Sequence, residues 1–522
     1  MMGSPPTTPK SDRMEVPLAM SGSGEPEVDP CHEEFFDIVV IGAGISGINT
    51  ARTIAHQAPP GTTYVIFDKR SQIGGTWDLF KYPGVRSDSD MFTFGFSWNP
   101  WDKEKPLATG AEIAAYLAES AAKVGADKHM RFHHSVTSVD WSSHTSRWTV
   151  AVRDQKNKLK TFQARFIVMG TGYYDHSEPM DAPIPGLERF SGDVIRPQFW
   201  PSNYTHVNKK IVIIGSGATA VTLLPNLAED AKHVTMLQRS PTYIVALPMS
   251  RGIFTRLWQA LLPHAIIRRL SRLQHILMGY MIYYYSRKYP QKVREAVEKA
   301  TALLLPSNIL VNPHFTPRYD PWDQRLCVCP EGDFFAALRS TKASIVTDVI
   351  EEVTASEIVL KSGQRLRPDV IIPATGLKLQ FAGGIQISVD GTVVDPATKF
   401  SWNGCMLQDV PNMAFIIGYV NASWTLGAEA TGALLARLWR KMKAVDKVVA
   451  LPRLDEPGKM QQVPLFNLSS TYFRNSSRVF PKGGIGQWAQ KKNYFSDIWK
   501  ASWGDLSTGL ELRDQAQVTP LA

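Results

Sequence analysis

Cysteine is scarce: Cys31, Cys327, Cys329 and Cys405 are the only four in 522 residues, and no two are spaced CxxC. That leaves no disulfide framework and no dithiol relay, so a thiol-dependent reductase is excluded and a reducing, cytoplasmic setting is expected. Cys327 and Cys329 would share one face of a strand as core residues. Acid is missing between Arg251 and Arg294, where seven Arg and two Lys match the whole formal surplus of +9. The longest apolar run there, Ile276 to Tyr285, is ten residues. A membrane-spanning helix needs about 20, so no transmembrane segment is expected. Ile253, Phe254, Leu257, Trp258 and Leu261 recur at helical spacing. The stretch reads as a helical subdomain with a solvated basic face. The alternative is peripheral membrane contact through 251–294; nucleic acid is disfavoured, because no binding motif accompanies the charge. Residues 1–34 also lack an apolar segment and are rich in Pro, Ser, Gly and acids. They read as a disordered extension, neither secretory signal nor transit peptide.

What remains is ordinary in bulk, with 44% hydrophobic and 20% charged residues. At ~150 residues per domain the length allows about three domains. The informative stretch is Asp37-Ile-Val-Val-Ile-Gly-Ala-Gly-Ile-Ser-Gly47. Ile38 to Ile41 read as a strand buried on both faces. Gly42, Gly44 and Gly47 follow in GxGxxG spacing and open a helix to about His56. The first glycine permits a tight turn, the second lets backbone approach a pyrophosphate, and the third packs helix on strand. Asp68 ends the next strand, Thr62 to Phe67, 21 residues after Gly47. A carboxylate there accepts hydrogen bonds from a ribose. A helix at about Gly110 to Val124, a meander (Phe132 to Trp141, Arg147 to Arg153) and the strand Ala164 to Met169 lead to Gly170-Thr-Gly172.

After a Pro-rich boundary, Glu178 to Gly186, the pattern recurs as Lys210-Ile-Val-Ile-Ile-Gly-Ser-Gly-Ala-Thr-Ala220. Gly215, Gly217 and Ala220 take the three small positions. Its second strand, His233 to Leu237, ends not in an acid but in Gln238-Arg239-Ser240. An acid there repels a 2′-phosphate, whereas Arg with an adjacent hydroxyl binds one. Asp369-Val-Ile-Ile-Pro-Ala-Thr-Gly376 echoes the strand that ends in Gly170 to Gly172. Two such folds imply two facing dinucleotides: FAD on the first and NADPH on the second. The expected fold class is α/β, with two Rossmann-like dinucleotide-binding domains and a helical insertion in the NADP domain. The expected division is a 1–34 extension, a first FAD-domain part at 35–175, a linker at 176–208 and an NADP domain at 209–364. The insertion occupies 250–315, and 365–522 is the second FAD-domain part with the C-terminal region.

Three motifs resemble those of the flavin-dependent Baeyer–Villiger monooxygenases, closest to the mycobacterial ethionamide-activating type, and the likeness runs from Phe36 to about Leu512. Gly74-Gly-x-Trp77 through Tyr82-Pro-Gly84 to Asp88 is similar to the family's long pattern. Asp320-Pro-Trp-Asp-Gln-Arg325 resembles the segment with its active-site arginine. Gly418 to Leu426 resembles its C-terminal stretch near the flavin. The family's FxGxxxHxxxW appears as Phe190-Ser-Gly192 to Arg196 and Trp200. Arginine has no acceptor to replace the histidine's, which questions domain coupling more than reaction class.

The resemblance implies that NADPH reduces the flavin, that O₂ adds to give a C4a-peroxyflavin, and that a ketone becomes an ester or lactone. Arg325 would hold a fixed positive charge beside the peroxide and the later oxyanion, and Asp88 would orient it. Position by position, Ser46, Thr76, Trp77, Asp78, Leu79, Asp88 and Val136 would touch FAD. Arg86, Ser87, Asp88, Ser216, Gly217, Ala218, Thr219, Ala220, Val221, Thr222, Arg239 and Ser240 would touch NADPH. Gln324 stands where related enzymes often have a 2′-phosphate lysine. No metal is expected. The rival readings are an S- or N-oxygenating flavin monooxygenase, which needs no such arginine, and a non-catalytic flavin-binding protein.

Overall fold

The computed structural model describes residues 34–249, 262–324, 326–466 and 476–515. The branched run at Phe35–Ile41 is the parallel neighbour of both Tyr64–Phe67 and Leu159–Met169, with Ile41 level with Phe67 and Met169. Met130–Arg131 extends this sheet on one side. Ser135–Ser142 and Arg147–Arg153 form the antiparallel meander on the other, and Gln386–Val389 lies beyond it. Met413–Phe415 pairs with the end of Leu159–Met169.

Side chains alternate along a strand, so Phe35–Ile41 serves two cores. Ile38 and Val40 pack toward residues of the helices Ile45–Gln57, Gly110–Lys123 and Trp424–Ala444. Val39 and Ile41 pack toward Trp141, Trp148, Val150 and Phe162 of the meander side. The helix Gly110–Lys123 begins in a capping box between Thr109 and Glu112.

The second sheet is parallel throughout, in the order Ala343–Thr347, His233–Gln238, Lys210–Ile214, Val370–Pro373, Asp193–Val194. On one face Ile211, Ile213, Val234 and Met236 meet the helices Ala218–Ala228 and Asp333–Arg339. On the other, Val212, Ile214 and Leu237 meet Val353, Ile358 and Leu360. The α/β class with two Rossmann-like sheets is therefore as expected.

Two memberships differ from the expected division. Val370–Pro373 lies past the expected boundary at 364 yet pairs with Lys210–Ile214, and the chain returns to the first sheet only at Gln386–Val389. The stretch 176–208 is more than a linker, because Asp193–Val194 is the second sheet's edge strand. Two residues in a Pro-rich segment carry no readable strand period.

The insertion runs between the paired strands Ile244–Leu247 and Cys327–Pro330. It contains the helices His264–Lys288 and Pro290–Leu304, the latter opened by a proline in its first turn. The amphipathic stretch Ile253 to Leu261 lies outside the described residues. The expected solvated basic face is only part of what His264–Lys288 exposes: Leu273, Leu277, Met281 and Tyr284 also point outward. The buried side holds Arg272, whose guanidinium donates to the carbonyls of Phe92 (3.1 Å) and Gly95 (2.5 Å) and to the Glu429 carboxylate (2.9 Å).

Candidate functional site

Both fingerprints are built the same way. Gly42 has φ +108°, its N–H donates to the Phe67 carbonyl at 2.8 Å, and a Cβ would lie 2.6 Å from the Gly170 carbonyl oxygen. Gly215 has φ +133°, donates to the Leu237 carbonyl at 2.8 Å, and a Cβ would lie 2.3 Å from the Ala374 oxygen. No L-residue with a side chain fits either position. Each turn is thus pressed onto the carbonyl that ends a returning strand. Gly47 packs beneath the first turn, with a Cβ 1.9 Å from the Gly42 oxygen. The helices after Gly44 and Gly217 have no side-chain cap and no acid in their first turn, so their first N–H groups are available to an anion.

A cleft of about 1380 Å³ runs between the two turns. Gly42, Gly44, Ser46, Asp68, Thr76, Trp77 and Val136 line one end, and Ser216, Gly217, Ala218, Thr219, Arg239 and Ser240 the other; Arg86, Ser87 and Asp88 also line it. Asp68 braces the first turn: its carboxylate accepts from the N–H groups of Ala43 (2.7 Å) and Arg70 (2.8 Å). Arg239 and Ser240 are exposed where His233–Gln238 ends, and Ser216 Oγ donates to the Ser240 carbonyl at 3.0 Å.

The loop from Gly74 to Asp88 connects the two ends. Gly75 (φ +56°) sits against Gly44, where a Cβ would lie 3.2 Å from the Gly44 Cα. Further on, Tyr82 is buried in the second sheet's core, and Gly84 touches the Asn226 side chain. Burial pushes the Tyr82 hydroxyl up to about 12, with the Asp88 charge adding to it. Arg86 reaches the cleft but is already paired with Asp333 at 2.5 Å, and the Ser87 hydroxyl donates to the Ser89 carbonyl at 2.8 Å.

Residues 36–276 match the flavin-binding monooxygenase-like family. The FAD-containing monooxygenase EthA of Mycobacterium tuberculosis is 43% identical over 472 residues, covering 89% of this chain and 95% of that relative. The chain belongs to the flavin-binding monooxygenase-like family. Its fold is shared by an oxidised steroid monooxygenase bound to NADP (TM-score 0.74, 19% identity, 92% of this chain and all of that one). Cyclohexanone monooxygenase from Rhodococcus sp. Phi1, bound to NADP⁺, is also similar (TM-score 0.69, 19% identity, 92% and 100%).

The residues of this monooxygenase fit its two cofactors. Uncapped helix starts, glycine turns with no room for Cβ, and Asp68 at the first ribose position suit FAD; exposed Arg239 with Ser240 suits the 2′-phosphate of NADPH. Six expected contact residues lie off the cleft wall. Gly47 supports the turn from behind. Asp78 and Leu79 give their N–H groups to the Gly75 carbonyl (3.1 and 2.9 Å). The Asp78 carboxylate is buried against Arg70 and Gln72. Ala220, Val221 and Thr222 point into the core of the second fold. Arg325 lies outside the described residues, though its neighbours Gln324 and Leu326 line the cleft.

Lys69, Tyr173 and His176 are wall residues that escaped the sequence reading, whereas Tyr419, also on the wall, lies in the Gly418 to Leu426 stretch. Tyr173 follows directly on Gly170-Thr-Gly172, which is the one local signal for it. Its ring stacks on Trp424 at 4.9 Å, and Trp424 Nε1 donates to Ser46 Oγ at 2.9 Å. Tyr419 donates to Asp497 at 2.8 Å, and burial pushes that carboxyl above its usual range. Burial raises the thiols of Cys329 and Cys405 to about 12, so neither offers a thiolate. Burial, with the charges of Lys69 and Arg70, lowers His176 to about 4 and keeps its imidazole neutral.

Proposed function

We propose that this chain is an NADPH- and O₂-dependent Baeyer–Villiger monooxygenase that inserts one oxygen beside a ketone carbonyl. The observation that carries the reading is the Gly74 to Asp88 loop. It spans both nucleotide grooves and sets Asp88 on the same cleft as Gln324 and Leu326, the chain neighbours of Arg325. The solved structures of like fold include a cyclohexanone monooxygenase, which supports a ketone as substrate.

Bound FAD and NADPH would supply oxygen activation and hydride. Asp68 and the Gly42 turn would hold the flavin nucleotide, and Arg239 with Ser240 would hold the nicotinamide nucleotide. Asp88 would orient the Arg325 guanidinium, which stays charged and would stabilise the oxyanion as the ketone carbonyl is attacked. A carbon substituent then migrates to oxygen. Ketone, O₂, NADPH and a proton give ester or lactone, water and NADP⁺.

The test is aerobic incubation with NADPH and cyclic, aromatic and long-chain ketones, read by mass spectrometry for one added oxygen. Arg325→Ala should still consume NADPH but lose ester formation by about a hundred- to a thousandfold, the cost of removing one preorganised donor. Ester made at an unchanged rate by Arg325→Ala removes that residue's role. Sulfoxide or N-oxide in place of any ester replaces the reading with S- or N-oxygenation.

A further inference from the structure

The helix His264–Lys288 departs from the rule for a surface helix, which buries its one apolar stripe and exposes its polar one: it buries Ile267, Ile276 and Tyr280 and exposes a second apolar stripe. Ser271, Arg272 and Ser286 are buried, and Arg272 is neutralised there by Glu429. Leu273, Leu277, Met281 and Tyr284, spaced four, four and three, form one outward stripe, with Met281 66% exposed. A second helix continues it. Tyr494–Trp503 carries Phe495, Trp499 and Trp503 at i, i+4 and i+8; Trp499 is 62% and Trp503 79% exposed. The two helices are tied together: the Tyr494 N–H donates to Tyr280 Oη at 2.8 Å. The rings of Phe495, Tyr280 and Tyr284 also run in series, 6.1 and 6.2 Å apart.

This apolar face has a basic surround. Arg268, Arg269, Lys288 and Lys292 are exposed, and the sequence has no acid from Arg251 to Arg294. Arg287 is paired with Asp323. We propose that this two-helix face seats on an anionic lipid bilayer surface. Trp499, Trp503 and the helix tyrosines would enter the headgroup layer, while the Arg and Lys side chains meet lipid phosphates. Charge decides between occupants. A second copy docked by the same face would oppose the acid-free, basic His264–Lys288 helix to its own duplicate, whereas an anionic surface is complementary to it. No helix among the described residues is long and apolar enough to cross a membrane, so the contact is peripheral. The inner side of the same helix reaches the cleft: Ile276 and Tyr280 pack in one cluster with Tyr419, a wall residue. The inference does not depend on the ketone reading.

The test is flotation of the full-length, FAD-loaded protein with vesicles of phosphatidylglycerol or of phosphatidylcholine. Binding to phosphatidylglycerol, weak binding to phosphatidylcholine and release at high salt are expected. Leu277→Glu with Met281→Glu should weaken binding at least about tenfold while flavin content stays unchanged. If that variant loses its flavin, Trp499→Ser with Trp503→Ser provides the same comparison on the second helix. Equal partition with and without phosphatidylglycerol overturns the proposal. So does a lipid-free dimer, seen by sedimentation equilibrium, that either pair of substitutions dissociates.

Discussion

Arg239 is exposed at the mouth of the second groove, and among the described residues no ion pair holds it. Asp348 lines the same cleft, but its carboxylate accepts from the N–H groups of Val349 (2.7 Å) and Ser362 (3.3 Å). The arginine is therefore ready for a 2′-phosphate. Bonds to a charged partner contribute about 1.5–3 kcal/mol, so Arg239→Ala should raise the KM for NADPH about ten- to a hundredfold. The KM for NADH, which lacks that phosphate, should hardly move. An equal rise for both coenzymes would assign Arg239 a structural role instead. Gly42 makes the complementary case in backbone. Its positive φ and the Gly170 oxygen leave no place for a methyl group, so Gly42→Ala must shift the returning strand. Purified Gly42→Ala should carry little FAD by absorbance; full flavin content would show that the turn can relax.

Among the elements, the long insertion helix is held by one buried ion pair. Arg272 and Glu429 have side chains 10% and 8% exposed, and Glu429 also accepts from the Ser97 N–H at 2.7 Å. Removing one partner leaves the other charged and unpaired in the interior, which costs about 3–5 kcal/mol. Arg272→Met should lower the thermal midpoint clearly, and adding Glu429→Leu should recover most of it; a single variant as stable as the wild type would contradict this. This pair also marks a limit of sequence reading. The sequence led to the expectation of a helical subdomain with a solvated basic face, but which side of this helix turns inward is fixed by a glutamate 157 residues away. The two fingerprints were legible, because branched runs and glycine turns are local signals. Asp193–Val194 was not, since an edge strand of two residues exists only through its partner. The same holds for Asp78 and for Ala220 to Thr222, whose side-chain directions depend on packing. Arg239 and Asp68 were legible because a strand's end fixes where its last side chains stand.

For the whole molecule, the seam between the two sheets contributes to the response to acid. Gln198 Nε2 donates to the Asp175 carbonyl at 2.6 Å, Asp175 meets Lys378 at 3.4 Å, and His176 follows in the chain. Burial, with Lys69 and Arg70 adding to it, lowers His176 to about 4, against an ordinary value of 6.5. Between those values the unfolded chain takes up a proton that the folded one does not. Stability therefore falls as pH drops through this window. A second loss follows at lower pH. Burial raises the Asp175 carboxyl, but the N–H groups of Ser177 and Glu178 and the Lys378 charge outweigh it and hold the group below 3.8. For Asp78, bonds from Gln72 and Arg70 likewise outweigh burial. Stability from these acids is complete above their unfolded values and lost as pH falls through the folded ones. Thermal midpoints of the holoprotein measured against pH should thus decline in two limbs. His176→Gln should make the limb between 6.5 and 4 shallower, with the half-buried His233 and His314 keeping the rest of it, and leave the lower one in place. Asp175→Asn should reduce the lower limb, because an amide neither titrates nor attracts Lys378, and should deepen the upper one, because the Asp175 charge opposes the lowering of His176. Parallel curves for wild type and His176→Gln through the upper window would show that the imidazole is protonated in the folded cleft, against the burial seen there.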